Sequence, residues 1–192
     1  MKCAKCSDKR CYSGKDCAGI RSEVEYSQDE IKSMRMSAHL ESQYYMKMTR
    51  LEELINYAKG MDYRRLGMAF CIGLEREAEI IGGILERDFE VSSVCCKTCG
   101  IDKSVYDLER LHGPEGIEAM CNPIGQAMIL NKDGTELNVI LGLCIGHDAL
   151  FTKHSMAPVT TLAVKDRVLA HNPLGVIYSG YYLGKKFNIK SP

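Results

Sequence analysis

No stretch of this chain approaches the roughly 18 consecutive apolar residues that a membrane-spanning helix requires. The opening Met-Lys-Cys-Ala-Lys-Cys-Ser-Asp also lacks the apolar core of an export signal. The expectation is a cytoplasmic protein that makes no use of a membrane. Neither sign of charge is in excess, since 25 Lys and Arg balance 25 Asp and Glu. With no basic stripe interleaved with aromatics, nucleic acid drops out as a partner. Neither GxGxxG nor GxxxxGK[ST] occurs, so a nicotinamide or nucleoside triphosphate site has no support. Flavin sites carry no comparable signature and stay open.

What the chain does have is cysteine, ten in 192 residues. Without an export signal, such thiols read as metal ligands or redox groups rather than as a disulfide framework. Cys3, Cys6, Cys11 and Cys17 fall within fifteen positions as C-x2-C-x4-C-x5-C, among Lys, Asp, Ser and Gly with almost nothing to bury. A metal would order such a segment through its binding energy. Four cysteines suit tetrahedral zinc or a four-iron four-sulfur cluster, and iron–sulfur is the favoured expectation over zinc.

The rest reads as one α/β domain, long enough to remove roughly 70% of its unfolded surface from water. From about Gln28 to Lys59 apolar residues recur at helical steps, with a break near Met48 to Arg50. Strands are expected at Arg65–Cys71, Phe89–Cys96, Leu137–Cys144 and Val159–Val164, with helices between them. Asn122-Pro123 is a helix opening, Asn as cap and Pro in the first turn. His171-Asn172-Pro173 promises another, leading to a closing helix that ends near Gly184, and the tail Lys185 to Pro192 is expected to fray. The polar stretch from Ile101 to Met120 reads as a long functional loop, a lid for instance. The expected fold is thus a three-layer, Rossmann-like parallel sheet of about four strands with helices on both faces. A long helix and the four-cysteine segment precede it. The corresponding divisions are 1–24 for the metal or cluster segment, 25–60 for a helical linker and 61–192 for the α/β domain.

In a parallel sheet with right-handed crossovers all strands end on one edge. Cys71, Cys96, Cys144 and Lys165 each close a predicted strand there, and Cys121 opens a helix whose N-terminus faces the same edge. His147 follows Cys144 by three residues. Only one of Cys95 and Cys96 can point into a shared site, because side chains alternate along a strand. The expected catalytic groups are Cys144, His147 and Cys121. Cys71, Cys96, Asn122 and Lys165 are expected to hold a cofactor, and Cys71, Cys96, Cys121 and Cys144 together could hold a second metal or cluster.

The strings CAKC, RLGMAFCIGLE, VCCKTCGIDK, CNPIGQAMILN, LNVILGLCIGHDALFTKHS and APVTTLAVKDRVLAHNP run through nearly the whole chain. It resembles the domain-of-unknown-function 1847 family, cysteine-rich prokaryotic proteins that carry a metal-binding label. The resemblance implies metal binding at the N-terminal cysteines. It also implies that Cys99, where glycine is the more usual residue, is no essential ligand.

Three functions follow as expectations. The first is a redox protein with an iron–sulfur or other metal centre at Cys3, Cys6, Cys11 and Cys17 and a second cysteine and histidine site at the sheet edge, serving a small-molecule or redox partner, with self-association open. The second is a non-redox thiol enzyme that moves sulfur or an acyl group through Cys144 and His147 and keeps a structural zinc. The third is a metal-binding or sensing module without turnover.

Overall fold

The computed structural model describes residues 1–189. Its contacts divide the chain into two compact units, the first ending at Tyr45 and the second beginning at Met46. No helix of the described residues is long and apolar enough to cross a membrane.

The first unit starts as short 3-10 turns at Cys3–Lys5, Arg10–Ser13 and Arg21–Glu23, all exposed. With no apolar surface to bury, polar groups order the backbone. Asp16 does most of this, its carboxylate accepting from the backbone N–H of Ala18 (3.2 Å), Gly19 (2.7 Å) and Arg21 (2.9 Å). Helix α1 (Gln28–Tyr44) opens on a reciprocal cap, in which Glu30 N–H donates to Ser27 Oγ and Ser27 N–H donates to the Glu30 carboxylate.

The second unit begins with α2 (Arg50–Gly60), capped in the same way by Thr49 and Glu52. The helical break therefore falls where the sequence placed it. Residues 50–60, assigned from sequence to a linker, pack on the sheet instead through Leu54 and Ala58. There follow β1 (Arg65–Phe70), α3 (Glu75–Leu85), β2 (Glu90–Cys95), α4 (Pro123–Lys132), β3 (Leu137–Leu141), α5 (Ile145–His154) and β4 (Val159–Ala163). Every strand pair is parallel and the order is β2-β1-β3-β4. The chain leaves β1 toward one side for β2 and returns to the other side for β3. The strand order therefore reverses between β1 and β3, and ligands in open α/β sheets bind outside the carboxyl ends at such a switch point.

Period-two alternation divides the core into two layers, one on each face of the sheet. Leu66, Met68, Leu137, Val139 and Leu141 pack with α2 and α3. Ala69, Cys71, Val94, Cys96 and Ile140 pack with Ala127 and Leu130 of α4 and Phe151 of α5. The three-layer Rossmann-like architecture expected from the sequence is the one observed.

Gly67 is required by close approach, since a Cβ there would lie 1.9 Å from Asn138 Oδ1. Asn138 is wholly buried and satisfied, donating to Ser155 Oγ (2.8 Å) and accepting from Thr135 Oγ1 (2.8 Å). Strand β3 stops at Leu141 rather than running to Cys144, because Gly142 turns the backbone at φ 67° and a Cβ there would strike Leu74.

The closing helix differs from expectation. Asp166 accepts from Val168 and Leu169 N–H (both 2.9 Å) and donates its own N–H to His171 Nδ1 (3.2 Å). The turn so formed puts Ala170 and His171 at positive φ, so Asn172-Pro173 cannot open a helix. Two short helices follow, α6 (Gly175–Tyr178) and α7 (Gly180–Phe187), the second capped by Ser179. Of the tail expected to fray, Lys185 to Phe187 are helical, and residues 190–192 lie outside the described residues.

The loop between β2 and α4 is closed at its base by an antiparallel bridge between Asp102 and Ala119. Arg110 pairs with Asp102 (2.7 Å) and Lys103 with Glu118 (2.6 Å), and Glu118 also accepts from Leu111 and His112 N–H. These bonds hold both carboxyls below their ordinary values. At Glu118 the Lys103 hydrogen bond is the main cause and the value is about 2; at Asp102 the bonds to Ser104 lead.

Candidate thiol site

Cys71 and Cys96 come from adjacent strands just past their last paired residues. The β1–β2 register ends at Phe70 opposite Cys95, and the ladder continues one step as Cys96 N–H donates to Phe70 O (2.9 Å). The chain then tightens into a 3-10 turn over Ile72–Leu74. This turn aims backbone donors at both sulfurs, Gly73 N–H at Cys71 Sγ (3.4 Å) and Ile72 N–H at Cys96 Sγ (3.4 Å).

Cys121 arrives from the far side of the 101–120 loop. Asn122 N–H donates to Cys96 O (2.8 Å), and the Asn122 side chain caps α4 by accepting from Gly125 N–H (2.8 Å). Cys121 Sγ thereby comes to lie 3.9 Å from Cys96 Sγ. Lys165, just beyond β4, reaches back so that its Nζ hydrogen-bonds to Cys71 Sγ. Cys71 and Cys96 are 5% and 2% exposed, whereas Cys121 and Lys165 are half-buried. Only Cys121 of the three thiols is open to a reagent of any size.

The three sulfurs titrate differently. With both protonated, Cys121 donates to Cys96; once Cys121 is ionised, the Cys96 S–H donates to it. That bond, with the nearby charges of Lys97 and His147, outweighs burial and lowers Cys121 to about 5. Its counterpart, the obligation to keep a proton for Cys121, combines with burial to push Cys96 far above the ordinary thiol value. At Cys71 burial works upward, yet the Lys165 hydrogen bond, Gly73 N–H and the Cys96 thiol bring it below that value. A thiol that holds its proton thus sits between two whose values are lowered.

Of the residues singled out from sequence, Cys71, Cys96, Cys121 and Lys165 are brought together, and His147 is near enough to act on Cys121 electrostatically. Cys144 is the N-cap residue of α5, three residues beyond the last residue of β3. Asn122 is a buried cap whose oxygen is engaged by its own helix. Of the adjacent pair, Cys96 takes part in the cluster, while Cys95 Sγ accepts from Lys97 N–H (3.5 Å). Cys99 stands at φ 68°, the left-handed region in which glycine is at ease.

Two contributors escaped the sequence reading as site residues. Lys97 directly follows Cys96, and its place after a strand-ending cysteine was the available signal. Asp148, in the first turn of α5, is near His147 and Lys165; burial raises its carboxyl, and its Oδ1 is buried without a hydrogen-bond partner among the described residues. Gln126 underlies the same edge, fully buried, its amide donating to Val94 O (2.7 Å) and Phe70 O (3.2 Å).

In the first unit Cys3, Cys6, Cys11 and Cys17 are all free and exposed thiols. Lys9 N–H donates to Cys6 Sγ (3.4 Å) and Cys6 N–H to Cys3 O (3.1 Å), a turn that presents sulfur to backbone donors. Among the described residues, no group of three or more His, Cys, Asp or Glu side chains is arranged to hold a metal ion.

A family model described as "Protein of unknown function (DUF1847)" matches residues 13–162. An uncharacterized protein of Methanocaldococcus jannaschii is 57% identical over 189 residues, covering 96% of this chain and 97% of the relative. No solved structure matches.

Proposed function

The chain belongs to the DUF1847 family of proteins of unknown function, and on that footing we propose that its sheet edge is a dithiol site for thiol–disulfide exchange, with Cys121 as the attacking thiol and Cys96 as its partner. The observation that carries this is the 3.9 Å separation of the two sulfurs, one half-exposed and readily ionised, the other buried and proton-retaining. The Cys121 thiolate attacks one sulfur of a disulfide presented from outside; the substrate S–S bond breaks and its first half leaves as a thiolate. Cys96 gives its proton to the departing thiolate and attacks Cys121 Sγ. The second half of the substrate is expelled and the Cys96–Cys121 bond closes. Two protein thiols are oxidised and one disulfide is reduced to two thiols, with no further reagent. Lys97 and His147 favour the attacking thiolate. A reducing cytoplasmic setting and a small-molecule or protein disulfide partner belong to this reading.

The four N-terminal thiols are of the right chemical type for zinc or an iron–sulfur cluster, and a backbone N–H already directed at Cys6 Sγ favours a thiolate ligand. Cys3, Cys6, Cys11 and Cys17 would hold the group, the exposed segment closing around it as it binds. A cluster would supply one-electron transfer and zinc would supply only order. Iron, sulfide and zinc analysis of protein purified without oxygen decides between them. Protein free of all three, after refolding with each metal, removes this part of the reading.

The test of the dithiol site is trapping. Reduced Cys96→Ser protein treated with oxidised glutathione should hold glutathione on Cys121, and the unaltered chain should instead release it and close Cys96–Cys121. Glutathione found at Cys144 and not at Cys121 would favour group transfer through Cys144 and His147. A Cys121→Ser chain that reduces glutathione disulfide as fast as the unaltered one would sink the assignment.

A further inference from the structure

Cys71 and Lys165 have no task in a two-thiol exchange, yet they stand within the same cluster. Cys96 lies 3.9 Å from Cys121 Sγ and packs in one buried cluster with Cys71, and a single turn aims Ile72 N–H at Cys96 Sγ and Gly73 N–H at Cys71 Sγ. One step beyond the Phe70–Cys95 register, Cys71 falls opposite Cys96 on the neighbouring strand. Paired strands run about 4.8 Å apart, inside the roughly 4.4–6.8 Å between Cα atoms that a disulfide spans. The register thus places the second pair at a strand spacing that a disulfide can span. Access falls sharply after half-exposed Cys121, since Cys96 and Cys71 are 2% and 5% exposed. An external disulfide reaches only the first thiol, and the last is attainable only from within.

Resting on the dithiol reading, we propose that the three sulfurs form a relay: the disulfide made between Cys121 and Cys96 is passed inward to Cys96 and Cys71, with Lys165 holding Cys71 ready to attack. In this step the Cys71 thiolate attacks Cys96 Sγ. The Cys71–Cys96 bond forms, the Cys96–Cys121 bond breaks, and Cys121 leaves with the electron pair as a thiolate. No proton and no net electron changes hands. The Lys165 ammonium, hydrogen-bonded to the attacking sulfur, favours its thiolate form, and the surroundings that favour the Cys121 thiolate make it a good leaving group. The consequence is a site that stores oxidation in a buried bond while its outer thiol becomes available again. A second disulfide substrate can then be engaged before the first oxidation is discharged.

The experiment follows disulfide positions in the full-length reduced protein after oxidised glutathione is added, by acid quenching, alkylation and peptide mapping. The Cys96–Cys121 bond should appear first and Cys71–Cys96 should replace it, with Cys121 returning to the alkylatable pool. In Cys71→Ser the series should stop at Cys96–Cys121. In Lys165→Met the ratio of Cys96–Cys121 to Cys71–Cys96 during the time course should rise about tenfold or more, and Lys165→Arg, which keeps the cation, should restore most of the transfer. A Cys96–Cys121 bond that never gives way to Cys71–Cys96 in the unaltered chain overturns the relay and leaves the dithiol reading standing. Absence of any bond among the three overturns both. Formation of Cys71–Cys96 at an unchanged rate in Cys121→Ser overturns the order of transfer. Should Cys71→Ser fail to fold, the time course of the unaltered chain decides alone.

Discussion

Asn122 joins its backbone N–H to the carbonyl of Cys96 across 2.8 Å, so the first residues of α4 are stitched to the end of β2 although 25 residues intervene. The same residue caps α4 through Gly125 N–H. Asn122→Ala keeps the first bond and loses the second, and should cost about 1 kcal/mol. For a chain of this size that is a fall in Tm of about 2–4 °C. Thermal unfolding measures it. A variant as stable as the unaltered chain would mean that the cap contributes nothing.

The acidity of Cys121 makes a kinetic prediction. Only the thiolate reacts with iodoacetamide, so the rate at Cys121 should rise through about pH 5 and then level. Replacing Cys96 by Ala removes the hydrogen bond that contributes most to the low value, and the midpoint should move upward. A rate in the unaltered protein that goes on climbing past pH 8 would contradict this account of the site.

Acid should loosen the 101–120 loop before it unfolds the domain. Asp102 and Glu118 both have values lowered in the fold, Glu118 to about 2. Groups of this kind stabilise fully above their unfolded values, about 3.9 and 4.3. Their contribution is lost as the pH falls through the folded values. Between about pH 4.3 and 2, backbone amides at Lys103, Leu111 and His112 should lose protection from hydrogen exchange, allowing for the intrinsic rate. In Glu118→Gln that protection should already be reduced at neutral pH, and the acid-dependent component should shrink. An unaltered pH profile in that variant would remove Glu118 as the cause.

Gly67 and Phe151 test the packing of the sheet face that carries the site. A methyl at residue 67 would displace the buried Asn138 and its two hydrogen bonds, so Gly67→Ala should destabilise by about 1–3 kcal/mol. Phe151 is wholly buried in the layer that also holds Cys71 and Cys96, and Phe151→Ala should cost about 3–5 kcal/mol. Denaturant unfolding gives both values. Losses below about 0.5 kcal/mol would show a core far more adaptable than close packing allows.

Much of this was legible in the residues themselves. Strand-like runs between helical stretches announced four strands, Asn122-Pro123 announced α4, and the alternation of strands with helices required the carboxyl ends to share one edge. Cys71, Cys96, Cys121 and Lys165 could be assigned to that edge without coordinates, because topology leaves a strand-ending residue nowhere else to be. Gly142 was a harder case, since an apolar run does not reveal where a left-handed residue interrupts it. His171 was another, because the pull of Asp166 on the backbone overrode a familiar helix opening.

What the linear chain determined by itself was the class of fold, the edge at which the thiols collect and the thinness of apolar material around the first four cysteines. Tertiary structure alone decided which thiols touch and which of them keeps its proton. Register brings Cys71 opposite Cys96, a backbone hydrogen bond draws Cys121 to within 3.9 Å, and Lys165 arrives from the far strand. Proton affinity in a cluster depends on distances of a few ångströms and on which donors face each sulfur, and those are set only when separate segments pack together.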